Sequence, residues 1–301
     1  MYDIIIVGAG CAGLTAAIYA KRANKSVLVF DDMGYGGQII NTTDIENYPA
    51  TPHISGFDLA TSMFNQAKEL GAEFRFEKVE KIEDNGDYKK VITTKADYDA
   101  RVVILATGSK NKKLGLENED KLIGKGVAYC ATCDGAFYKG QDVAVVGGGN
   151  SAFEEAKYLS SLANRVYVIV RSDKFRGDES TLQLLKQKPN IKFIMNTNVT
   201  KLNLKDKLES VELTDKDGKK SKLNIKGLFV AIGRMPENSS YSHIVKLDEY
   251  GYVDADENCC TNVKGIFVAG DNRKKEVRQI VTAASDGAIA VKEALKYLNK
   301  W

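Results

Sequence analysis

The strongest constraint on this chain is a pattern that occurs twice. An apolar run, Asp3–Val7, ends on Gly8-Ala9-Gly10-Cys11-Ala12-Gly13, and small helix-forming residues follow from Leu14 to Ala23. A second apolar run, Ser26–Phe30, then ends in Asp31-Asp32. The order returns from Asp142–Val146 through Gly147-Gly148-Gly149-Asn150-Ser151-Ala152 into Phe153–Leu162, and Arg165–Val170 closes that unit on Arg171. Short apolar runs bounded by glycine predict buried strands, and the stretches after the turns predict helices. A glycine turn that follows a strand and opens a helix is the context of a dinucleotide fingerprint. Its first glycine allows the tight turn, its second lets backbone approach a pyrophosphate, and its third position (Gly13 or Ala152) lets the helix close on the strand. The helix N-terminus then presents free N–H groups and a partial positive charge to phosphate. A single copy also serves plain packing; two copies in equivalent places point to two nucleotide sites. The predicted fold class is therefore α/β, with two Rossmann-like three-layer dinucleotide-binding domains.

The residue that ends the second strand separates the two ligands. An acid there accepts hydrogen bonds from a free ribose diol, whereas an arginine accommodates a 2′-phosphate. Asp31 thus predicts an adenosine with unmodified ribose in the first unit, and Arg171 favours NADP in the second. Two such dinucleotides in one chain suggest FAD plus a nicotinamide, with hydride passing between them. Both units continue through charged segments with hairpin signatures at Asn85-Gly86 and Asp217-Gly218. They close on Val103-Ile104-Leu105-Ala106-Thr107-Gly108 and Phe229-Val230-Ala231-Ile232-Gly233. One further strand, Gly265–Ala269 ahead of Gly270-Asp271, fits back into the first sheet, which makes the second domain an insertion. The expected FAD-binding domain spans 1–111 and 242–301, and the expected NADP-binding domain spans 112–241. Asp271 is placed either to meet ribityl or ribose hydroxyls or to cap the next segment. Helical spacing from Gln279 to Tyr297 predicts a terminal helix with an apolar packing stripe.

Composition narrows the chemistry. With 43 Lys+Arg against 40 Asp+Glu, the formal charge of +3 argues against a nucleic-acid binder. The N-terminus turns into glycine without a basic leader, and no apolar run reaches the ~20 residues of a membrane helix. The expected location is cytoplasmic, where cysteine pairs are more often metal-binding or redox-active than structural. There are 5 cysteines and only 2 histidines, His53 and His243, so any proton chemistry leans on thiols and carboxylates.

Tyr129-Cys130-Ala131-Thr132-Cys133-Asp134-Gly135 answers to that description. Two cysteines with two residues between them can close a small disulfide ring that exchanges readily when a helix start lowers one thiol pKa. Asp134 puts a proton donor and acceptor beside the sulfurs. The competing reading is half of a zinc site, which needs two more ligands, and the adjacent Cys259-Cys260 are poorly spaced for it. Cys11 reads as a small buried filler, and Cys259 and Cys260 as loop or strand residues; no metal site is expected.

With these motifs in this order, the whole chain resembles the bacterial-type low-molecular-weight thioredoxin reductases, which belong with the FAD-dependent pyridine nucleotide-disulfide oxidoreductases. The resemblance runs through Gly8-x-Gly10-x-x-Gly13, Gly36-Gly37-Gln38, Glu46-Asn47-Tyr48-Pro49, Ala106-Thr107-Gly108, Cys130-Ala131-Thr132-Cys133-Asp134, Gly147-x-Gly149-x-x-Ala152, Gly270-Asp271 and Arg278-Gln279. It implies that FAD rests on Gly8, Gly10, Gly13, Asp31, Gly37, Gln38, Asn47, Ala106, Thr107, Gly108, Asp271, Arg278 and Gln279. It implies that NADPH meets Gly147, Gly149, Asn150, Ser151, Ala152, Arg171, Ser172 and Arg176. Cys133 would be the sulfur facing the flavin, Cys130 the thiol that attacks a protein disulfide, and Asp134 the acid. The implied activity is thioredoxin-disulfide reduction by NADPH, the implied partner is thioredoxin or a thioredoxin-like protein, and the implied assembly is a homodimer. The usual His-Arg-Arg phosphate clamp of the family reads Val170-Arg171-Ser172 here. NADH or reduced ferredoxin as electron source therefore stays open, as does a flavin-dependent dithiol oxidase.

Overall fold

The computed structural model describes residues 1–42 and 44–299. The chain divides into two compact units, Met1–Lys110 with Met235–Trp301, and Asn111–Arg234. The second crossing lies earlier than the sequence suggested. The polar stretch around Pro236–Ser242 reads as the connection, but Asn238 is fully buried and donates to the carbonyls of Gly251 and Asn272. Tyr241 is also buried, and its hydroxyl reaches the Val79 carbonyl. Both hold that segment in the first unit.

The first unit is built on a seven-stranded sheet. It contains β1 (Tyr2–Val7), β2 (Val27–Asp31), β3 (Glu73–Phe76), β4 (Val79–Asp84), β5 (Lys89–Thr93) and β6 (Asp97–Leu105), in the order β3-β2-β1-β6-β5-β4. The strand Ile266–Val268 adds to β6 in parallel, so the chain does return to its first sheet after the insertion. The run Ile4-Ile5-Ile6-Val7 is buried on both faces, which is why it reads as continuous rather than alternating hydrophobicity. Ile4 and Ile6 face one core with helix α1 (Cys11–Arg22) and the C-terminal helix Ile280–Leu298, while Ile5 and Val7 face a second core with the β4–β5 hairpin. A side chain on Gly287 would come within 2.3 Å of the Ala12 carbonyl, so small residues let the terminal helix pack backbone-close on α1. Helix α2 (Gly56–Glu69) starts on Ser55, whose hydroxyl accepts the Asp58 amide.

The chain leaves the first unit through β7 (Ser109–Asn111). The second unit then opens with β8 (Val127–Ala128) and helix α3 (Ala131–Asp134), and repeats the parallel plan with β9 (Asp142–Val146), helix α4 (Asn150–Leu159), β10 (Arg165–Ile169), helix α5 (Glu179–Lys186) and β11 (Ile191–Ile194). An antiparallel set follows, β12 (Thr197–Leu204), β13 (Leu208–Asp215) and β14 (Lys220–Asn224), before β15 (Gly227–Val230) re-enters and β16 (Arg234–Pro236) leaves. The parallel sheet runs β11-β10-β9-β15-β8. Val143 and Val145 face α4 and α5, and Ala144 faces the antiparallel sheet through Val199, Leu202 and Val211. Both units are thus three-layered α/β domains of Rossmann type, the second inserted into the first. In both, the helix starts earlier than expected, at Cys11 and at Asn150, so the third position of each turn lies inside its helix. Among the described residues no helix is long and apolar enough to cross a membrane.

Candidate active site

The first glycine turn is closed behind and open in front. A Cβ on Gly8 would lie 2.2 Å from the Ala106 carbonyl oxygen, and one on Gly13 would lie 1.9 Å from the Gly8 carbonyl, so strand, turn and helix meet through bare backbone. Gly10 caps α1 without a side-chain hydrogen bond, leaving the first-turn amides unshielded, and a Cβ on Gly10 would meet nothing closer than the Gly37 Cα at 4.0 Å. That cradle fits a dinucleotide pyrophosphate. Gly36 and Gly37 have positive φ, and the Gly36 amide donates to the Ala9 carbonyl (2.8 Å), which lays the Gly36-Gly37-Gln38 turn along the loop. Asp31, at the end of β2, accepts the Ala9 and Met33 amides at 2.8 and 2.9 Å, while burial pushes its carboxyl up.

Tertiary folding brings further expected residues together. Asn47 donates to the Gln279 side chain (3.3 Å), although 232 positions separate them. Gln279 also opens the C-terminal helix in a reciprocal capping box with Thr282. Asp271 is close enough to Cys11 for its charge to add to burial in pushing that thiol up to about 12. Cys11 is buried, as its place in the turn suggested, and its thiol meets the Ile280 carbonyl. Thr107 donates to Asn238 Oδ1 and accepts from Asn272, so its hydroxyl is committed to a buried amide network. Arg278 stacks on the Tyr252 ring at 4.2 Å and reaches the Asp271 carbonyl.

The second turn repeats the geometry. A Cβ on Gly147 would lie 2.3 Å from the Ala231 carbonyl, whereas Gly149 caps α4 with nothing within 4 Å. The amides of Arg176 and Gly177 both donate to the Gly148 carbonyl, and Asn150 Oδ1 accepts the Asp178 amide at 2.6 Å. Asn150, expected at the nucleotide, also fixes the 171–178 loop on the turn through its side-chain oxygen. Ser172 likewise gives its hydroxyl proton to the Lys174 carbonyl, while Arg171 and Arg176 remain exposed, as does Ser151. The turn and two mobile-length cations fit an adenosine phosphate, with fewer donors than a full clamp.

Cys130 and Cys133 are joined by a disulfide, with Cα atoms 5.3 Å apart, which removes the zinc reading. Cys259 is buried and, like Cys260, free; Cys260 bridges Phe267 in a strand-like pairing. Cys130 caps α3 and Cys133 lies within it, so a four-residue helix presents both sulfurs. Asp134 follows directly, and burial raises its carboxyl to about 6. A buried carboxyl held near neutrality is suited to donate and recover a proton. Two residues invisible to motif reading complete the surroundings. Glu119 is buried and accepts the Leu114, Gly115 and Leu116 amides and the Tyr129 hydroxyl, anchoring the residue before Cys130. Glu155 of α4 accepts the Ala131 amide between the two cysteines, and burial raises its carboxyl to about 7. Only tertiary contact reveals either one.

The family described as pyridine nucleotide-disulphide oxidoreductase matches residues 2–287. Curated relatives include thioredoxin reductases of Bacillus subtilis, 40% identical over 302 residues (100% of this chain and 96% of the relative), and of Listeria innocua, 41% identical over 303 residues (100% and 95%). Among solved structures, the thioredoxin reductase of Streptococcus pyogenes superposes with a TM-score of 0.96 at 40% identity, covering 100% of this chain and 99% of that one. Glycine turns, inserted domain, disulfide and full-length similarity agree: the chain belongs to the pyridine nucleotide-disulphide oxidoreductases, among those of bacterial thioredoxin reductase type.

Proposed function

We propose that this protein is a flavoenzyme that reduces thioredoxin or a thioredoxin-like protein with electrons from NADPH. The observation that carries the reading is the Cys130–Cys133 disulfide beside the buried carboxyl of Asp134, in the same unit as the second glycine turn. The first unit would hold FAD at Gly8, Gly10, Gly13, Asp31, Gly37, Gln38, Asn47, Ala106, Thr107, Gly108, Asp271, Arg278 and Gln279. The second would hold NADPH at Gly147, Gly149, Asn150, Ser151, Ala152, Arg171, Ser172 and Arg176. When bound, this cofactor pair supplies the two electrons that open the disulfide.

The chain's own groups do the rest. In the reduced protein, the Cys130 thiolate attacks one sulfur of the substrate disulfide, forming a mixed disulfide and releasing a substrate thiolate. Asp134 protonates the departing thiolate. Asp134, ionised by that step, takes the Cys133 proton. The Cys133 thiolate then attacks Cys130, restoring the internal disulfide and expelling the second substrate sulfur as a thiolate that takes up the proton Cys130 gave to solvent. Two thiols are oxidised and one substrate disulfide is reduced, so electrons and protons balance.

Anaerobic titration of the purified holoprotein tests the donor, and single substitutions test the thiols. Stoichiometric NADPH bleaches the flavin, and Cys130→Ser or Cys133→Ser each retain flavin but lose thioredoxin reduction. Bleaching only by NADH or reduced ferredoxin would replace NADPH as donor. Undiminished turnover in both variants would remove the reductase reading itself.

A further inference from the structure

We propose that Glu155 is a positioning residue for the disulfide: fixed on α4, its carboxylate holds the Ala131 amide inside the Cys130–Cys133 turn and, when ionised, opposes formation of a thiolate there. The inference rests on the redox role given to that disulfide and deepens it. Three observations meet at this carboxylate. It accepts the backbone N–H of Ala131, the first helical residue after Cys130. It stands on the helix that opens from the Gly147–Gly149 turn, so the nucleotide cradle and the disulfide share one rigid element. It lines a groove with Thr132, Glu154, Lys157 and Tyr158 that borders the cysteine turn.

The consequence is electrostatic. Opening the disulfide consumes two electrons and two protons, giving two thiols, one of which ionises as pH rises past the ordinary ~8.5 of cysteine. A negative carboxylate on the turn's own amide makes that thiolate less favourable, and it withholds an N–H that a thiolate would otherwise attract. Of the charges on elements packed near α4, Arg234 favours the ionised carboxyl and Asp134 opposes it. Burial dominates both and raises the group to about 7, so Glu155 is neutral below that pH and charged above it. The carboxylate thus keeps the dithiol a stronger reductant in alkaline conditions than the thiols alone would be.

The test uses the holoprotein equilibrated anaerobically with reduced and oxidised dithiothreitol at pH 6 and at pH 9. Samples are quenched in acid, alkylated, and the peptide carrying Cys130 and Cys133 is weighed. Glu155→Gln keeps an acceptor for the Ala131 amide but removes the charge. Its equilibrium should lie within about twofold of wild type at pH 6. At pH 9 it should shift about tenfold toward the dithiol, a one-unit charge effect equal to about 30 mV in a two-electron couple. Equal shifts at both pH values, as a purely structural role would give, overturn the inference, and so does the lack of any shift. If that variant does not fold, Glu155→Ala, helix-favouring on α4, is judged by the same two-pH comparison. Dithiothreitol needs neither nucleotide nor thioredoxin, so loss of the proposed activity and loss of this linkage are read separately. A wild-type pair that dithiothreitol cannot open overturns both.

Discussion

Asp286, in the middle of the C-terminal helix, is the most heavily loaded carboxylate of the first unit, and Asp286→Asn should be among its costliest single changes. Its side chain is 3% exposed and accepts from Arg273 Nε and Nη2 (2.9 and 3.0 Å), Lys275 Nζ (2.8 Å) and the Gly270 amide (2.9 Å). Arg273 and Lys275 are themselves only 4% and 7% exposed, so the substitution takes the Asp286 carboxylate from Lys275 and leaves Arg273 only the exposed Glu257 at 3.5 Å. Removing one partner of a buried pair costs about 3–5 kcal/mol. For a unit of this size that lowers Tm by roughly 6–20 °C. The Gly270 bond also fixes the backbone leading to Asp271, so flavin should be released before the unit melts. The pH dependence has a definite sign. These cations and the Gly270 amide hold the Asp286 carboxyl below its usual range, against its burial. Its stabilisation is therefore complete above the ordinary ~3.9 of an unfolded aspartate and fades as pH falls through the lowered folded value. Differential scanning calorimetry at one scan rate, with flavin fluorescence recorded in parallel, measures both effects. The gap between wild type and variant should be widest near pH 7 and close in strong acid. Adding Lys275→Met should restore part of the loss, because one stranded charge goes with it. A Tm drop below about 2 °C, or a gap independent of pH, would refute the reasoning.

Two further outcomes follow from the geometry. Asp134, raised to about 6 by burial, binds its proton more tightly when folded than the ordinary ~3.9 allows, so the fold loses stability as pH rises from about 4 to 6. Asp134→Asn should remove that dependence, gaining on wild type by about 2–3 kcal/mol between pH 4 and pH 8 at ~1.4 kcal/mol per pK unit, and it should erase the ionisation near 6 from the pH profile of thioredoxin reduction; parallel urea melts and rate profiles check both. Gly13→Ala would drive a methyl to 1.9 Å from the Gly8 carbonyl and should cost at least ~3 kcal/mol with loss of flavin, whereas Ala152→Gly at the equivalent place should cost only about 1 kcal/mol, seen in the same melts.

What was legible in the sequence was whatever local backbone chemistry dictates. A turn that needs positive φ at Gly8 and Gly147 declares itself by glycine, and buried parallel strands declare themselves by unbroken runs such as Ile4-Ile5-Ile6-Val7. The cysteine pair and its aspartate could be read because a tight ring places both sulfurs and the carboxyl within four positions. What was not legible depends on partners far away in sequence. The polar stretch around Pro236–Ser242 looks like a linker because the partners of Asn238 and Tyr241, at Gly251, Asn272 and Val79, are ones no local pattern reveals. Asn150 reads only as a ligand contact, and its bond to the Asp178 amide, which ties the following loop to the turn, shows only in the fold. Glu119 and Glu155 sit among ordinary surface-type residues, and only the folded chain aims them at Tyr129 and Ala131.

The two glycine turns also show where selectivity can and cannot reside. Both fold back on a strand-end carbonyl at nearly the same distance, 2.2 Å from a Cβ on Gly8 and 2.3 Å from one on Gly147, and both leave the capping glycine open in front. Two cradles this alike offer a pyrophosphate the same backbone amides, so neither can tell one dinucleotide from another. Discrimination must come from the strand ends. Asp31 is braced by two amides and cannot swing away, so a 2′-phosphate brought there would meet a fixed acceptor of like charge. The backbone beside Arg171 is held by the Thr197 and Asn196 amides on the Val170 and Ser172 carbonyls, but its side chain is exposed, which lets the guanidinium follow a phosphate. The proposed assignment of FAD to the first unit and NADPH to the second thus rests on rigidity at one strand end and freedom at the other, built upon a turn that is the same in both.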